Sequence, residues 1–265
     1  MKISYSTINF RQFELERILG EMREVGFEYF ETQSTTPWCT HVDVFKDDPE
    51  NLVRLQKKYG YKGITSLWAK DGGLVSDENF LGSIGRVVEF AKAANIPLVT
   101  ITDGKIPKKR RPDMTVEDAK RQVDERFGPA LEAAKKYGVK LSLENHGLFS
   151  MNSDDLMVLI NHGTPDILGV TFDTANVHHG GQQDEVEMLK VVKDRVFHVH
   201  AKDKNDEMKC VALGEGPVKL KECLQMLKDS GFDGAFSWET EGTDDFESEI
   251  LVAKKSFAFL NQFAK

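Results

Sequence analysis

Hydrophobic and polar residues alternate along four short segments in the second half of the chain. The segments are KLSLENHG (140–147), ILGVTFDTAN (167–176), VFHVHAKD (196–203) and GAFSWETEG (234–242). Along a β-strand, side chains alternate between two faces, so each segment has an apolar face and a small or polar face. In a parallel barrel wrapped by helices, the apolar face contacts the helices and the other face fills the interior. The pattern therefore predicts four barrel strands with polar residues near their carboxyl ends.

The remainder of the chain repeats a strand followed by a helix. Earlier strands are predicted at 3–7, 27–32, 62–68 and 96–104. Helices are predicted, from apolar spacing and capping signals, at about 11–25, 48–59, 77–94, 115–137, 153–162, 184–193, 217–230 and 245–263. The alternative, an open doubly wound sheet, usually has a glycine-rich turn after its first strand, whereas here that strand ends in SYSTINF. The succession favours a single (β/α)8 TIM barrel over residues 1–265.

Composition and charge limit the kinds of molecule that this chain is expected to bind. The formal net charge of −8 disfavours broad contact with nucleic acid or an anionic membrane. No apolar run approaches the roughly 20 residues of a membrane helix, and MKISYSTINF opens as a strand without a signal pattern. The three cysteines form no CxxC pair, which indicates reduced thiols. We therefore expect a cytoplasmic protein that binds neither nucleic acid nor membrane. A homo-oligomer is compatible with the sequence.

One acidic or imidazole side chain lies near the end of each of the four segments. Glu144, Asp173, His200 and Glu239 fall at comparable depths, all on the predicted interior face. Three carboxylates and one imidazole suit Mn²⁺, Mg²⁺ or Co²⁺ better than a thiolate-rich zinc site would. We therefore predict one divalent metal ion, with Mn²⁺ as the first choice. The alternative is four ordinary hydrogen-bonded residues at a barrel mouth.

At these residues the sequence resembles the xylose isomerase-like TIM barrel superfamily, in its short sugar phosphate isomerase/epimerase branch. The resemblance runs through LENHG, FDTAN, HVHAKD, LGEGPV (213–218) and GFDGAFSWETEG (231–242), and more weakly through GFEYFET (26–32). The branch includes ketose 3-epimerases, hydroxypyruvate isomerase, inosose dehydratase and the endonuclease IV nucleases. The resemblance implies that Glu144, Asp173, His200 and Glu239 are the metal ligands and that Glu144 and Glu239 are the catalytic pair.

The predicted site suits proton transfer next to a carbonyl group. A divalent ion polarises the carbonyl of a hydroxy-ketone and makes the adjacent C–H more acidic. Glu144 and Glu239, on strands five and eight, can then remove and return a proton on opposite faces of an enediolate. We therefore expect an isomerase or epimerase of a small ketose or related hydroxy-carbonyl compound.

Three other functions are alternatives on the same scaffold. A dehydratase of the inosose or dehydroshikimate type would lose hydroxide from the same intermediate. A non-catalytic carbohydrate-binding barrel is less compatible with four ligand positions. An endonuclease IV-type hydrolase would need further histidines, and strands three and four end in SLWAKD and TITDG without one.

Five further residues are candidates for substrate binding: His146, Lys202, Asn176, Glu31 and Trp68. His146 and Lys202 share the interior face with the ligands, and Glu31 ends strand two. An aromatic ring such as Trp68, or Trp38 after strand two, can stack on the apolar face of a sugar. Alternatively, Glu31 orients a ligand and Lys202 forms a salt bridge to Glu239 or Glu241.

Two positions depart from the epimerase pattern. Asn176 stands where those enzymes usually have histidine, and Asp206 stands where they have an arginine that holds substrate hydroxyls. An acid beside the substrate would repel a phosphate or carboxylate. We therefore expect weak activity on fructose, psicose and tagatose. Lys204 is predicted to face solvent, and His178 and His179 are predicted to lie in a loop with Gly180 and Gly181.

Overall fold

Eight parallel strands form the centre of the molecule in the computed structural model, which describes residues 1–180, 183–242 and 245–263. They are β1 (Lys2–Tyr5), β2 (Tyr29–Gln33), β3 (Gly63–Gly73), β4 (Leu98–Thr102), β5 (Lys140–Glu144), β6 (Leu168–Asp173), β7 (Val196–Ala201) and β8 (Ala235–Trp238). The order in the sheet is β1-β8-β7-β6-β5-β4-β3-β2. A parallel bridge between Ser6 and Glu31 joins the two outer strands. The predicted (β/α)8 barrel is thus confirmed, and it is nearly closed.

Helices follow the strands and cover the outside of the barrel. They are α1 (Leu15–Val25), α2 (Pro49–Lys58), α3 (Phe80–Ala93), α4 (Val116–Tyr137), α5 (Ser153–Ile160), α6 (Thr174–Gly180), α7 (Glu185–Val192), α8 (Leu220–Asp229) and α9 (Phe246–Leu260). The predicted capping box of Thr115 and Asp118 begins α4, and Gly138, at φ 64°, ends it. Among the described helices, none combines the length and apolar character needed to cross a membrane.

Several strands end earlier than predicted. β5 ends at Glu144, because the chain turns there and the His146 N–H donates to the Glu144 carbonyl at 2.8 Å. β6 ends at Asp173 and passes directly into α6, so His178 and His179 are helical and not in a loop. Gly181, which was assigned to the same loop, lies outside the described residues.

The interior of the barrel is filled by hydroxyl side chains. Ser142 pairs with Thr171 at 2.6 Å and with Thr100 at 3.2 Å, and Thr100 pairs with Ser66 at 2.9 Å. Barrel interiors are usually dominated by bulky branched residues. These four hydroxyls satisfy one another, whereas Ser237 Oγ on β8 is buried without a hydrogen-bond partner among the described residues. The opposite face of each strand packs its large apolar side chains under the helices.

The carboxyl group of Glu249, on α9, is buried and contacts the residues that follow β8. Its Oε1 accepts a 2.7 Å hydrogen bond from the Thr240 hydroxyl. Burial raises the pKa of Glu249 from 4.5 to about 7, against the opposing effect of that hydrogen bond. Because the pKa of Glu249 is higher in the folded than in the unfolded state, its protonated carboxyl group favours the folded state below pH 4.5. This contribution to the free energy of unfolding is lost as the pH rises through 7.

We therefore expect Glu249→Gln to remove this pH dependence. In wild type, Glu249 should lower the free energy of unfolding by up to about 3 kcal/mol between pH 5 and pH 8. In the variant this decrease should be absent. Urea denaturation at the two pH values measures the difference. Glu247→Gln, an exposed site on the same helix, is the matched control. The same pH dependence in wild type and Glu249→Gln would contradict the assignment.

Candidate metal centre

Glu144, Asp173, His200 and Glu239 meet at the carboxyl ends of β5 to β8. All four are buried, and each offers one ligand atom within 4.8 Å of the other three. Ligands on opposite sides of an ion lie about 4.2 Å apart when each bond is about 2.1 Å. The strand register therefore brings three oxygens and one nitrogen into a space that suits a single ion.

Three carboxylate oxygens in this cluster are buried without a hydrogen-bond partner among the described residues: Glu144 Oε2, Asp173 Oδ2 and Glu239 Oε2. Lys202 Nζ lies 2.9 Å from Asp173 Oδ2, but as an ion pair outside hydrogen-bond geometry. A buried carboxylate oxygen without a donor is costly, and a cation is a partner that would satisfy it. The donor set therefore fits one divalent ion that accepts oxygen and imidazole ligands.

Carboxylates hold the His200 ring from both sides. Its Nδ1 lies 2.9 Å from Glu144 Oε1 and 3.5 Å from Glu239 Oε2, whereas Nε2 lies 3.2 Å from Glu31 Oε1. When Glu31 accepts a hydrogen bond from the Nε2–H group of His200, Nδ1 of the same ring faces the ligand cluster. Burial lowers the pKa of His200, but Glu239, Glu31 and Glu144 outweigh it and raise that pKa well above the ordinary value.

Glu31 lies beneath the cluster and contacts two histidines. Besides His200, it binds His198, whose Nε2 lies 2.6 Å from Glu31 Oε2. Burial raises the pKa of Glu31, yet His200 and His198 together bring it far below the usual range. Burial also lowers the pKa of His198, whose hydrogen bond to Glu31 lies in the interior of the barrel. Glu31 thus contacts the ring of a candidate ligand, and it does not line the cavity described below.

Lys202 bridges two of the four candidate ligands. Its Nζ lies 2.9 Å from Asp173 Oδ2 and 2.6 Å from Glu239 Oε1. Burial lowers the pKa of Lys202, but Asp173 and Glu239 raise it well above the ordinary value. Burial raises the pKa of Asp173, but Lys202 and His200 together lower it below the ordinary value, whereas burial keeps the pKa of Glu239 raised. The alternative salt bridge to Glu239 therefore forms.

Asn145 ties the ends of β5 and β6 together. Its Nδ2 donates to the Asp173 carbonyl, and its Oδ1 accepts from the Asp173 N–H, both at 2.8 Å. Asp173 Oδ1 in turn accepts from the Asn176 N–H at 2.8 Å in the first turn of α6. Sequence reasoning missed Asn145. The available signal was a polar residue on the predicted apolar face of its strand.

A cavity of about 360 Å³ opens above the cluster at the carboxyl end of the barrel, within the size range of small-molecule sites. Its lining includes four of the five predicted substrate residues, His146, Lys202, Asn176 and Trp68, with both catalytic candidates. His146 is half-exposed at the mouth. The Trp68 ring lies 6.2 Å from the His200 ring at 27°. A recess of about 520 Å³ at the opposite end of the barrel contains none of the four ligands.

Two cavity residues at the end of β2 and just after it were also missed. Gln33 and Thr35 line the cavity and follow Glu31 at two-residue spacing. The same alternation identified the ligands on the later strands, so the signal for these two residues was present. Trp38, which was considered for stacking, lines the cavity as well.

Two expectations about the segment after β7 were wrong. Lys204 does not face solvent, because the chain folds back in an antiparallel bridge to Cys210 and Lys204 pairs with Glu241 at the cavity rim. Asp206 is exposed in the following turn and does not line the cavity. Its charge therefore lies away from the space that a substrate would occupy.

Sequence comparison finds relatives that match about half of the chain. An uncharacterized protein of Methanocaldococcus jannaschii is 30% identical over 138 residues, which are 50% of this chain and 47% of that protein. An inosose isomerase of Halalkalibacterium halodurans is 28% identical over 167 residues (58% and 56%). An inosose dehydratase of Clostridium perfringens is 24% identical over 148 residues (49% and 50%). The chain thus spans about half the length of these relatives.

Solved structures resemble the chain over nearly its full length. A D-tagatose 3-epimerase-like protein has a TM-score of 0.79 at 22% identity, covering 99% of this chain and 97% of that one. The IolI protein with a bound zinc atom has a TM-score of 0.75 at 19% identity, covering 98% of both. At these identities the likeness establishes the fold. The family model described as xylose isomerase-like TIM barrel matches residues 19–263, so the chain belongs to the xylose isomerase-like TIM barrel family.

Proposed function

We propose that this chain is a divalent-metal-dependent isomerase or epimerase of a small ketose or related hydroxy-carbonyl compound. The observation that carries the proposal is the buried cluster of four candidate ligands, of which Glu144 and Glu239 line the cavity and each keep a carboxylate oxygen without a hydrogen bond. Similarity to an inosose isomerase and to a D-tagatose 3-epimerase-like protein supports it. Mn²⁺ is our first choice of ion, although the IolI structure contains zinc.

In this proposal Glu144, Asp173, His200 and Glu239 hold the ion, which when bound would polarise the substrate carbonyl and make the adjacent C–H more acidic. Glu144 and Glu239 approach the same His200 nitrogen, and each keeps one oxygen without a hydrogen bond. One carboxylate can therefore take the proton and the other can return it. Lys202 Nζ forms ion pairs with Asp173 and Glu239, and its ammonium still has an N–H available to a substrate oxygen that gains negative charge.

A dehydratase is the second candidate, and the similarity to an inosose dehydratase favours it. The first step is the same proton removal, after which the intermediate expels hydroxide from the neighbouring carbon instead of being reprotonated. The NMR spectrum of the product separates the two reactions, since an epimer keeps every oxygen and a dehydrated product loses one.

We further propose that the protein acts in the cytoplasm on a small carbohydrate-like substrate and does not bind nucleic acid. The three cysteines are unpaired, in keeping with reducing surroundings. The charged side chains of the cavity lining are three carboxylates and one ammonium, a balance that disfavours a phosphodiester backbone.

The metal ligands can be tested by binding measurements. Asp173→Asn and His200→Ala should each weaken Mn²⁺ binding by about 100-fold or more, because each removes or neutralises one of four donors. Isothermal titration gives the affinity, and circular dichroism should show an intact barrel because mouth residues contribute little to core stability. Asp229→Asn, at an exposed helix end, is the control. Unchanged Mn²⁺ affinity in both ligand variants would mean that other residues bind the ion.

The proton-transfer step predicts exchange with solvent. During turnover in D₂O, the carbon-bound hydrogen next to the carbonyl should be replaced by deuterium. Glu144→Gln and Glu239→Gln should each lower kcat by about 10²- to 10⁴-fold. Their Mn²⁺ content is measured in parallel to separate lost catalysis from lost metal. Retention of the original hydrogen in the product would instead support hydride transfer between carbons.

Lys202→Met should lower kcat/KM by about 100-fold, since the substrate oxygen loses its charged donor. Lys204 cannot serve as the neutral comparison because it is buried and paired. Lys209→Met is the appropriate control, because Lys209 is exposed and contacts only Glu207 by an ion pair. We expect Lys209→Met to match wild type in steady-state assays. Equal losses in the two variants would remove Lys202 from its proposed role.

A further inference from the structure

The polar side chains of β2 and the residues after it rise toward the cavity at two-residue spacing. Glu31 lies at the bottom and contacts His198 and His200. Gln33 and Thr35 come next, and both line the cavity. The segment thus passes from a group that orients a metal ligand to groups that face the space for a substrate.

The Gln33 side chain lines the cavity, and its carboxamide makes no hydrogen bond within the described part of the chain. Gln33 is 4% exposed. Two other groups of the cavity lining share this property: Thr35 Oγ1 and Asn176 Nδ2 are buried without a hydrogen-bond partner among the described residues. Burying an unpaired polar group is unfavourable, and an apolar side chain of the same size would avoid that cost. Three such groups around one cavity therefore point to a ligand that supplies the missing partners.

The charges around the cavity indicate that this ligand is neutral. Lys202 is the one lysine or arginine in the described lining, and its ammonium is engaged by Asp173 and Glu239. Glu241 at the rim is paired with Lys204. The basic run at 108–111 does not belong to the lining. Away from the metal cluster, a phosphate or carboxylate would therefore meet acidic side chains and no unpaired lysine or arginine of the described lining.

We propose that Gln33, together with Thr35 and Asn176, forms a hydroxyl-binding subsite that restricts the site to uncharged polyol-ketones. A carboxamide offers both donors and an acceptor, which suits neighbouring hydroxyl groups. Trp38 and Trp68 in the same lining offer aromatic faces for the C–H side of such a molecule. This inference rests on the proposed function, which concerns the reacting carbonyl end of the substrate. It adds the chemical class of the substrate, which is a hydroxyl-rich molecule without phosphate or carboxylate.

Calorimetric titration of the Mn²⁺-loaded protein tests the subsite with three probes: scyllo-inosose, D-fructose and D-fructose 6-phosphate. At least one neutral probe should bind about 10-fold or more tightly than the phosphate ester. Gln33→Met should weaken binding of that neutral probe by about 10- to 100-fold. Gln262→Met, at an exposed residue near the end of α9, should bind it like wild type.

Thermal unfolding separates ligand binding from a structural role. Gln33→Met should unfold at the wild-type temperature or above, because an unpaired buried amide is replaced by an apolar side chain of similar length. A structural hydrogen-bonding role would instead lower the unfolding temperature. Unchanged affinity in Gln33→Met, tighter binding of the phosphate ester, or no binding of either neutral probe would each overturn the inference.

Solvent exchange in D₂O distinguishes this inference from the proposed function. Gln33-dependent binding of a neutral probe without any carbon–hydrogen exchange would reject the reaction class and keep the hydroxyl-binding subsite. Exchange and turnover that are the same in wild type and Gln33→Met would support the reaction class and reject the subsite.

Discussion

Buried negative charge at the carboxyl end of the barrel is the constraint on which the rest of the site depends. Four carboxylates, Glu31, Glu144, Asp173 and Glu239, lie out of solvent beside two side chains that can be cationic, His200 and Lys202. Ionised carboxylates are retained in such surroundings only where cations or hydrogen-bond donors compensate for lost hydration. Both cationic side chains are accordingly held between acids, and the remaining excess of negative charge is what makes a divalent cation a suitable occupant.

Much of the fold follows from short-range patterns in the sequence. Alternation of apolar and polar residues predicted the last four strands, since a strand buried between an interior and a helical layer must carry two different faces, and the succession of strands and helices predicted the first four. Strand ends and α6 were less predictable. The turn after Glu144 and the start of α6 at Thr174 depend on hydrogen bonds between neighbouring strands, such as those of Asn145 with Asp173, and periodicity carries no information about them.

The residues of the site were likewise predictable on regular strands and unpredictable beyond the strand ends. The four candidate ligands could be found because each sits on the interior face of a regular strand, where residue parity determines direction. Lys204 could not be placed, because its burial results from an antiparallel bridge to Cys210 that forms after the strand has ended. Asp206 lies in the turn that this bridge closes. Its sequence position matches the arginine of the epimerase pattern, but the turn keeps it out of the cavity lining.

The bridge between Ser6 and Glu31 gives the metal centre a mechanical link to barrel closure. Most neighbouring strands pair over several residues, whereas this junction has one described bridge, so it is the place where the barrel wall can most readily open. Glu31 is also the residue that holds the His200 ring. Small opening motions of the wall would consequently tilt the imidazole, and an ion held by His200 would resist them. The barrel and such an ion would then stiffen each other.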